Sequence, residues 1–257
     1  MNNHIITNMK KILTLYKPIS ATPLELIEKY KEKNPEYKYQ KMTYAGRLDP
    51  MAEGIMIILT GDECKNKQEY LNLDKTYLID ILWGIETDSY DTLGMVENIN
   101  SNNPNPKEII TKLTTFTKSF EQQYPPYSSK SVNGKPLWQW QKEGRISEIG
   151  IPTKNVTIHS IKHIKDYTKS KKDILSKIIA NISNLKGNFR QNEIIKSWRE
   201  NTDKITDFHI SQIEVNCSSG TYMRSLAHNL GKQLGTAGLA LNINRTNVGQ
   251  YTNSSNT

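Results

Sequence analysis

The feature that most constrains the fold is a short, strongly apolar run at residues 55–59 (IMIIL), which lies between Gly54 and Gly61. A run of this length fits one strand that is buried on both faces. It is the longest apolar run in the chain, and it is far shorter than the ~20 apolar residues that a membrane-spanning helix requires. We therefore expect a sheet covered on both sides and no membrane span.

Strand-like and helix-like segments alternate along the chain without a strict βαβ rhythm, which favours an α+β fold. A helix is predicted to begin at Pro23, because Thr22 and Glu25 form a capping box and proline suits the first helical position. The other predicted elements are strands at 11–16, 54–61, 75–83, 155–164 and 207–217, helices at 64–71, 106–116, 171–200 (broken at Gly187) and 222–234, and loops at 33–46 and 85–105.

Composition narrows the class of protein. The 257 residues fit one large domain, and the formal net charge of +8 indicates a polyanionic partner such as nucleic acid. Cys64 and Cys217 lie far apart, so neither a disulfide framework nor a cysteine-based zinc site is expected. The first residues lack the charged and apolar segments of a secretory signal, which predicts an intracellular, cytoplasmic protein.

The most specific segment is residues 44–54, YAGRLDPMAEG. Asp49-Pro50 is a turn signal, and the turn leads directly into the buried strand. A carboxylate there would lie at the rim of the core, where apolar and cationic neighbours set its charge state. Arg47, two residues away, could stabilise an ionised Asp49.

The GRLDPMAEG run resembles the G-x-L-D-P-x-A-x-G signature of the tRNA pseudouridine synthase B family, which isomerises uridine 55 in the tRNA T-loop. Five further segments resemble motifs of this family in the same order: residues 75–77, 85–94, 122–135, 219–226 and 245–249. The resemblance implies a pseudouridine synthase fold with a mixed, largely antiparallel central sheet flanked by helices. It also implies an isomerase that uses no cofactor or metal and binds tRNA through the T-arm.

The resemblance assigns the chemistry to three residues. Asp49 is the carboxylate that acts on the ribose, and whether it serves as nucleophile or base stays open. Tyr77 matches the tyrosine that stacks on the uracil and handles the C5 proton, and Arg224 matches the arginine that pairs with the aspartate. Such enzymes flip the target base into a pocket. Tyr222 and Ile243 match the positions that line this pocket in the family.

The sequence departs from the family near these residues. Tyr44 stands where bacterial members carry a histidine that occupies the space left by the flipped base, and Arg47 replaces a small residue. We expect both to contact the substrate. Ser20 replaces a glycine of the family's K-P-x-G-x-T-S motif.

Two long segments complete the predicted organisation. Residues 124–144 resemble the family's thumb-like RNA-binding insertion, whose Lys130 and Lys135 would meet phosphates. Residues 165–206 are predicted to be a helical insertion that the family does not share, with a basic start. The chain stops soon after Gly249, where bacterial relatives continue into a domain of the PUA type. We therefore expect residues 1–257 to form a single catalytic domain without that domain, acting as a monomer.

Two alternatives to tRNA uridine 55 stay open: pseudouridine formation in another RNA, and an inactive protein that binds or folds tRNA. The presence of Asp49, Tyr77 and Arg224 together favours the enzyme. A metal-dependent hydrolase that uses Asp49, Asp88 and Asp91 is disfavoured, because the five histidines are scattered and the carboxylates are not clustered.

Overall fold

The computed structural model describes residues 9–100 and 102–252. The prediction that the chain has no secretory signal concerns the first residues, which lie outside the described part. The strands are β1 Ile12–Lys17, β2 Met42–Ala45, β3 Ala52–Thr60, β4 Lys75–Trp83, β5 Ile85–Thr87, β6 Val96–Ile99, β7 Ser119–Gln123, β8 Ser131–Val132, β9 Lys135–Pro136, β10 Thr153–Ser170, β11 Asp207–Cys217 and β12 Gly238–Val248. The α-helices are α1 Pro23–Lys33, α2 Lys67–Asn72, α3 Pro106–Thr114, α4 Leu137–Lys142, α5 Lys171–Ser183, α6 Gln191–Asn201 and α7 Met223–Gln233.

One sheet organises the fold. Its strands follow the order β1-β3-β12-β4-β11-β10-β7, and β2 pairs with β3 as the eighth strand. Only the β3–β12 pair is parallel among the pairs described in this sheet. The predicted α+β fold with a mixed, largely antiparallel sheet and flanking helices is therefore confirmed. Two small hairpins, β5–β6 and β8–β9, lie off the sheet.

The helices begin where local chemistry favours a start. Thr22 and Glu25 form the predicted capping box at α1, with Pro23 as the first helical residue. Asn105 and Glu108 form a second box at α3. Each box satisfies amide donors at the helix start that have no partner within the helix.

Hydrophobic side chains cover both faces of the sheet, as the apolar run of β3 requires. Residues 55–59 are almost completely inaccessible to solvent. On one face α1, α3 and α7 contribute Ile27, Ile109, Leu113, Leu226 and Leu230 to the core. On the other face α5, α6 and β11 contribute Ile174, Ile178, Ile182, Ile194, Trp198, Phe208 and Ile210.

Three predictions about local structure were wrong, and one strand was missed. The predicted loop 33–46 contains β2, and the predicted loop 85–105 contains the β5–β6 hairpin. The closing strand β12 was not predicted at all. The segment 165–206 is helical only from Lys171, because residues 165–170 continue strand β10 in register with β11. The β5–β6 hairpin pairs within its own stretch, whereas β2, β12 and the end of β10 pair with other strands of the sheet. A local pattern of polar residues does not reveal such pairing.

No helix in the described ranges is long and apolar enough to cross a membrane. Cys64 and Cys217 are both free thiols, and Cys217 is fully buried in β11.

Candidate active site

The Asp49 loop joins β2 to β3 at one end of the sheet. The amide of Ala52 donates to the carbonyl of Asp49 at 3.0 Å, which closes the turn that Asp49-Pro50 predicts. Gly54 follows with φ +117°, and a Cβ atom there would lie 2.3 Å from the carbonyl oxygen of Arg245. Glycine is therefore required for β3 to approach β12 and carry the aspartate to the end of the core.

Asp49 is held by Arg224, which lies in the first turn of α7. The Arg224 Nε donates to Asp49 Oδ2 at 2.9 Å. The arginine side chain is only 3% exposed, whereas the Asp49 side chain is 36% exposed. The buried Arg224 guanidinium therefore holds a carboxylate that solvent can reach, and a charge-assisted hydrogen bond of this kind fixes the direction of the carboxylate.

The remaining donors of Arg224 are anchored to two other chain segments. Nη1 donates to the carbonyl of Ser89 at 2.9 Å, and Nη2 donates to the carbonyl of Tyr127 at 3.1 Å. A second carboxylate, Asp91 Oδ2, lies 3.6 Å from Nε. Each of the three guanidinium nitrogens thus donates to a partner.

Asp91 is buried and accepts hydrogen bonds from the Ser89 hydroxyl and the Leu93 amide. Burial raises the pKa of the Asp91 carboxyl, while Arg224 and Ser89 act in the opposite direction. The arginine therefore lies between one buried and one accessible carboxylate. The sequence analysis named Asp91 as part of a motif and of the hydrolase alternative, and its position beside Arg224 was missed.

Tyr77 lies on β4, directly opposite Arg245 of β12. It is 9% exposed, and burial raises the pKa of its hydroxyl against the effect of Arg245. The charge of Asp49 also raises this pKa, by less than burial does. Tyr77 is therefore a buried, neutral phenol in the same core cluster as Leu48, the residue before Asp49.

The two predicted pocket residues lie next to this group. Tyr222 immediately precedes α7, and burial together with the charge of Asp49 raises the pKa of its hydroxyl to about 12. Its backbone is clamped by Gln122, whose amide group exchanges two hydrogen bonds with the Tyr222 main chain at 2.7 and 3.0 Å. Ile243 on β12 is buried in the same core cluster as Tyr77. The structure thus places Asp49 and Arg224 in contact, with Tyr77 and Tyr222 within the electrostatic influence of Asp49 and Ile243 in the core cluster of Tyr77.

Tyr44 and Arg47 lie at the outer side of the loop. Arg47 Nε donates to the Tyr44 hydroxyl at 3.2 Å, and Arg47 Nη1 donates to Ser129 Oγ at 3.2 Å. The expectation that Arg47 stabilises Asp49 is not met, because its guanidinium contacts these two residues and Arg224 holds the aspartate. Arg47 instead connects the Asp49 loop to the 124–144 segment.

The basic residues of the 124–144 segment differ in their partners. Lys135 forms an ion pair with Glu143 at 2.6 Å and lies 4.2 Å from the ring centroid of Trp140. Lys130 is exposed, and its ammonium group lies 5.6 Å from the ring centroid of Tyr124. Lys130 is therefore more available to a phosphate than Lys135, which has a carboxylate partner.

Two buried cations near the site were missed as site residues. Lys17 is fully buried, and its ammonium group donates to the carbonyls of Pro18 and Ala21. Burial lowers its pKa to about 8, and the charge of Asp49 opposes this shift. Arg245 donates to the carbonyls of Ile55 and Arg47. Both residues belong to the motifs quoted above, and their burial was the information that the sequence lacked.

Within the described ranges no group of three or more histidine, cysteine, aspartate or glutamate side chains is arranged to hold a metal ion. Asp49 and Asp91 both form ion pairs with Arg224, and Asp88 forms one with Arg190 at 2.9 Å. The three aspartates of the hydrolase alternative thus have arginine neighbours.

A family model described as TruB family pseudouridylate synthase (N terminal domain) matches residues 34–189, which is more than half of the chain. The match defines a class of protein, the pseudouridylate synthases, whose members are isomerases. The chain belongs to the TruB family of this class.

Individual relatives agree with this membership. A tRNA pseudouridine synthase B of Clostridioides difficile (strain 630) is 28% identical over 244 residues, which cover 95% of this chain and 67% of that protein. One from Francisella tularensis subsp. tularensis (strain WY96-3418) is 31% identical over 217 residues, covering 84% of this chain and 58% of that protein. The chain therefore spans roughly three fifths to two thirds of the length of these relatives.

Among solved structures, the fold is similar to a chain in the crystal structure of a Cbf5-Nop10-Gar1 complex. The TM-score is 0.59 at 16% identity, and the alignment covers 95% of this chain and 50% of that chain. The structure of an H/ACA RNP bound to a substrate RNA containing 2'-deoxyuridine gives a TM-score of 0.56 at 15% identity, covering 95% and 49%. These likenesses concern the fold.

Proposed function

We propose that this protein isomerises uridine to pseudouridine in tRNA, at position 55 of the T-loop. The observation that carries the proposal is the accessible Asp49 carboxylate held by a buried arginine, close to the buried Tyr77 and the partly buried Tyr222. Family membership supports the reaction class, and the names of the relatives support tRNA as the substrate.

The chemistry requires one bond to break and another to form. The C1′–N1 bond of uridine is cleaved, the base turns, and C1′ bonds to C5; the C5 hydrogen then leaves as a proton and N1 gains one. Asp49 acts on the ribose, either as a nucleophile at C1′ or as a base at C2′. Arg224 binds the carboxylate and fixes its direction toward solvent. The isomerisation needs no cofactor, because no electrons or groups are exchanged with a second substrate.

The target base must leave its stack to reach Asp49. In the proposal Tyr77 stacks on the flipped uracil and handles the C5 proton, while Tyr222 and Ile243 form the sides of the pocket. Tyr44 is half-buried and accepts a hydrogen bond from Arg47 at the outer side of the site, where it fills the space that the flipped base leaves in the RNA. Aromatic and apolar walls suit this role, because a base presents a π-face on each side.

The 124–144 segment supplies the grip on RNA in this proposal. Lys130 and the exposed Arg47 contact the phosphate backbone, and Lys135 positions the segment through Glu143. The net charge of +8 supports attraction to a polyanion. All proposed catalytic groups come from one chain, so a monomer suffices, and a tRNA substrate places the reaction in the cytoplasm.

The substrate assignment is tested by initial rates of isomerisation on three RNAs: a T-arm stem-loop, a full tRNA transcript and a ribosomal RNA fragment. We expect turnover on the first two and little or none on the third. Preferential turnover of the ribosomal fragment would replace tRNA by another RNA. Tight tRNA binding without turnover of any RNA would favour an RNA-binding protein with an inactive site.

Tyr77→Phe tests the second catalytic role. The ring remains, so we expect the affinity for tRNA to change little, whereas loss of the hydroxyl should lower the single-turnover rate by about 10²-fold or more. Tyr30→Phe is the matched control, because Tyr30 is a partly buried tyrosine that packs on Tyr37 at a ring distance of 5.3 Å. A wild-type rate for Tyr77→Phe would restrict Tyr77 to stacking.

A further inference from the structure

The 165–206 segment is packed against the catalytic part of the chain at several points. Trp198 is fully buried, and its indole donates to the carbonyl of Gly94 at 3.1 Å. The hydroxyl of Ser197 accepts from the Val96 amide at 3.0 Å. These bonds dock α6 onto the β5–β6 hairpin, which also carries the loop around Asp91. The segment is therefore part of the structure that surrounds the site.

A second contact reaches the Asp49 loop. Ser20 has φ +67°, in the left-handed region that favours glycine, and its hydroxyl donates to the carbonyl of Asn181 in α5 at 2.7 Å. The Ser20 amide donates to the carbonyl of Pro50 at 2.9 Å. The serine that departs from the family motif thus links the 165–206 segment to the residue after Asp49.

The most informative contact is made by Arg190, between α5 and α6. Its Nη1 donates to Asp88 Oδ2 at 2.9 Å, with side-chain exposures of 18% and 4%. Its guanidinium carbon lies 4.5 Å from the ring centroid of Tyr127. Arg190 has φ +60°, and a strained backbone of this kind persists only where surrounding contacts impose it.

Asp88 and Tyr127 lie on the two segments that hold Arg224. The carbonyl of Ser89, next to Asp88, accepts from Arg224 Nη1, and the carbonyl of Tyr127 accepts from Arg224 Nη2. Arg190 therefore bridges both supports of the arginine that orients Asp49. The other Asp88 oxygen accepts from the Met95 amide at 3.0 Å, so the carboxylate is fixed between the hairpin and Arg190.

We propose that Arg190 is a positioning residue for the reaction: by binding Asp88 and covering Tyr127, it fixes the two carbonyls that hold Arg224 and, through Arg224, Asp49. The inference rests on the proposed function of the Asp49 site. It assigns the 165–206 segment a role in orienting the Asp49 carboxylate. In this role the segment need not contact RNA. Small displacements of a reacting group lower rates steeply, so the effect is expected in the chemical step.

Arg190→Gln removes the charge and the flat guanidinium. We expect the single-turnover rate at saturating enzyme to fall by about 10- to 100-fold, with the dissociation constant for tRNA unchanged within about twofold. Arg190→Lys keeps the charge beside Asp88 but loses the planar face, so we expect it to recover part of the rate. Arg199→Gln, an exposed arginine on α6, is the matched control and should behave as wild type.

Ile178→Val tests whether a loss of stability alone lowers the rate. It removes a methyl group from the buried face of α5. We expect it to lower the melting temperature and leave the rate unchanged. The proposal is overturned if Arg190→Gln has the wild-type rate, or if Ile178→Val loses as much rate at a similar melting temperature. Weaker tRNA binding by Arg190→Gln with an unchanged rate at saturation would overturn it in favour of an RNA contact.

A second readout is independent of activity. In ¹⁵N-labelled protein, we expect the Arg224 Nε–H resonance to be protected from exchange in the wild type and in Arg199→Gln, and to exchange faster in Arg190→Gln. If the wild type isomerises no RNA, the proposed function fails while this comparison still decides whether Arg190 orders Arg224. An unchanged Arg224 resonance in Arg190→Gln would overturn the inference.

Discussion

Replacing Asp49 by asparagine is expected to lower the single-turnover rate of isomerisation by about 10³-fold or more. The amide has nearly the shape of the carboxylate, but it can neither attack the ribose nor remove a proton from it. The carboxylate is partly exposed, so its loss should leave the fold intact. The measurement is the rate of pseudouridine formation in tRNA with enzyme in excess.

Asp62→Asn is the control for this experiment. Asp62 is almost fully exposed and pairs with Lys65 three residues away, far from the site in the fold, so its loss should leave the rate unchanged. Binding of tRNA by Asp49→Asn should remain within a few-fold of the wild type. Full turnover by Asp49→Asn would remove Asp49 from the catalytic role.

The second large effect is expected for Arg224→Gln. The substitution leaves Asp91 buried without its cation and removes donors from the carbonyls of Ser89 and Tyr127. Breaking a buried ion pair by removing one partner costs about 3–5 kcal/mol of unfolding free energy. The single-turnover rate should also fall, because Asp49 loses the arginine that orients its carboxylate. Denaturant unfolding and single-turnover rates measure the two effects separately.

The double variant Arg224→Gln with Asp91→Asn separates folding from catalysis. Neutralising Asp91 removes the uncompensated buried charge, so we expect it to recover much of the lost stability. The rate should stay low, because Asp49 remains without its partner. Arg145→Gln, at an exposed arginine paired with Glu148, is the control and should change stability only slightly. Recovery of the rate together with the stability would contradict a catalytic role for Arg224.

The elements with strong local signals were predictable. The β3 run, the Thr22 capping box and the alternation of β11 each follow from short patterns, and the structure has them at the predicted places. Strand β12 was missed because its sequence, GLALNINRTNV, mixes apolar residues with asparagines, and its pairing with β3 and β4 decides its structure. Propensity alone does not report such long-range pairing.

The same distinction applies to the site. Motif positions pointed to Asp49, Tyr77 and Arg224, and these residues do come together. The support around them depends on contacts between residues far apart in sequence. The carbonyl of Tyr127 meets Arg224 across 97 residues, and Arg190 meets Asp88 across 102. Neither contact has a local sequence signal.

The most direct test of the proposed reaction is tritium release from a tRNA transcript labelled at C5 of its uridines, followed by mapping of the modified position. The C5 hydrogen is lost only when C5 bonds to the ribose, so the signal reports the isomerisation itself. We expect the wild-type protein to release tritium from a single uridine and to leave pseudouridine at position 55. Tight binding of the tRNA without any release of tritium would contradict the proposed reaction.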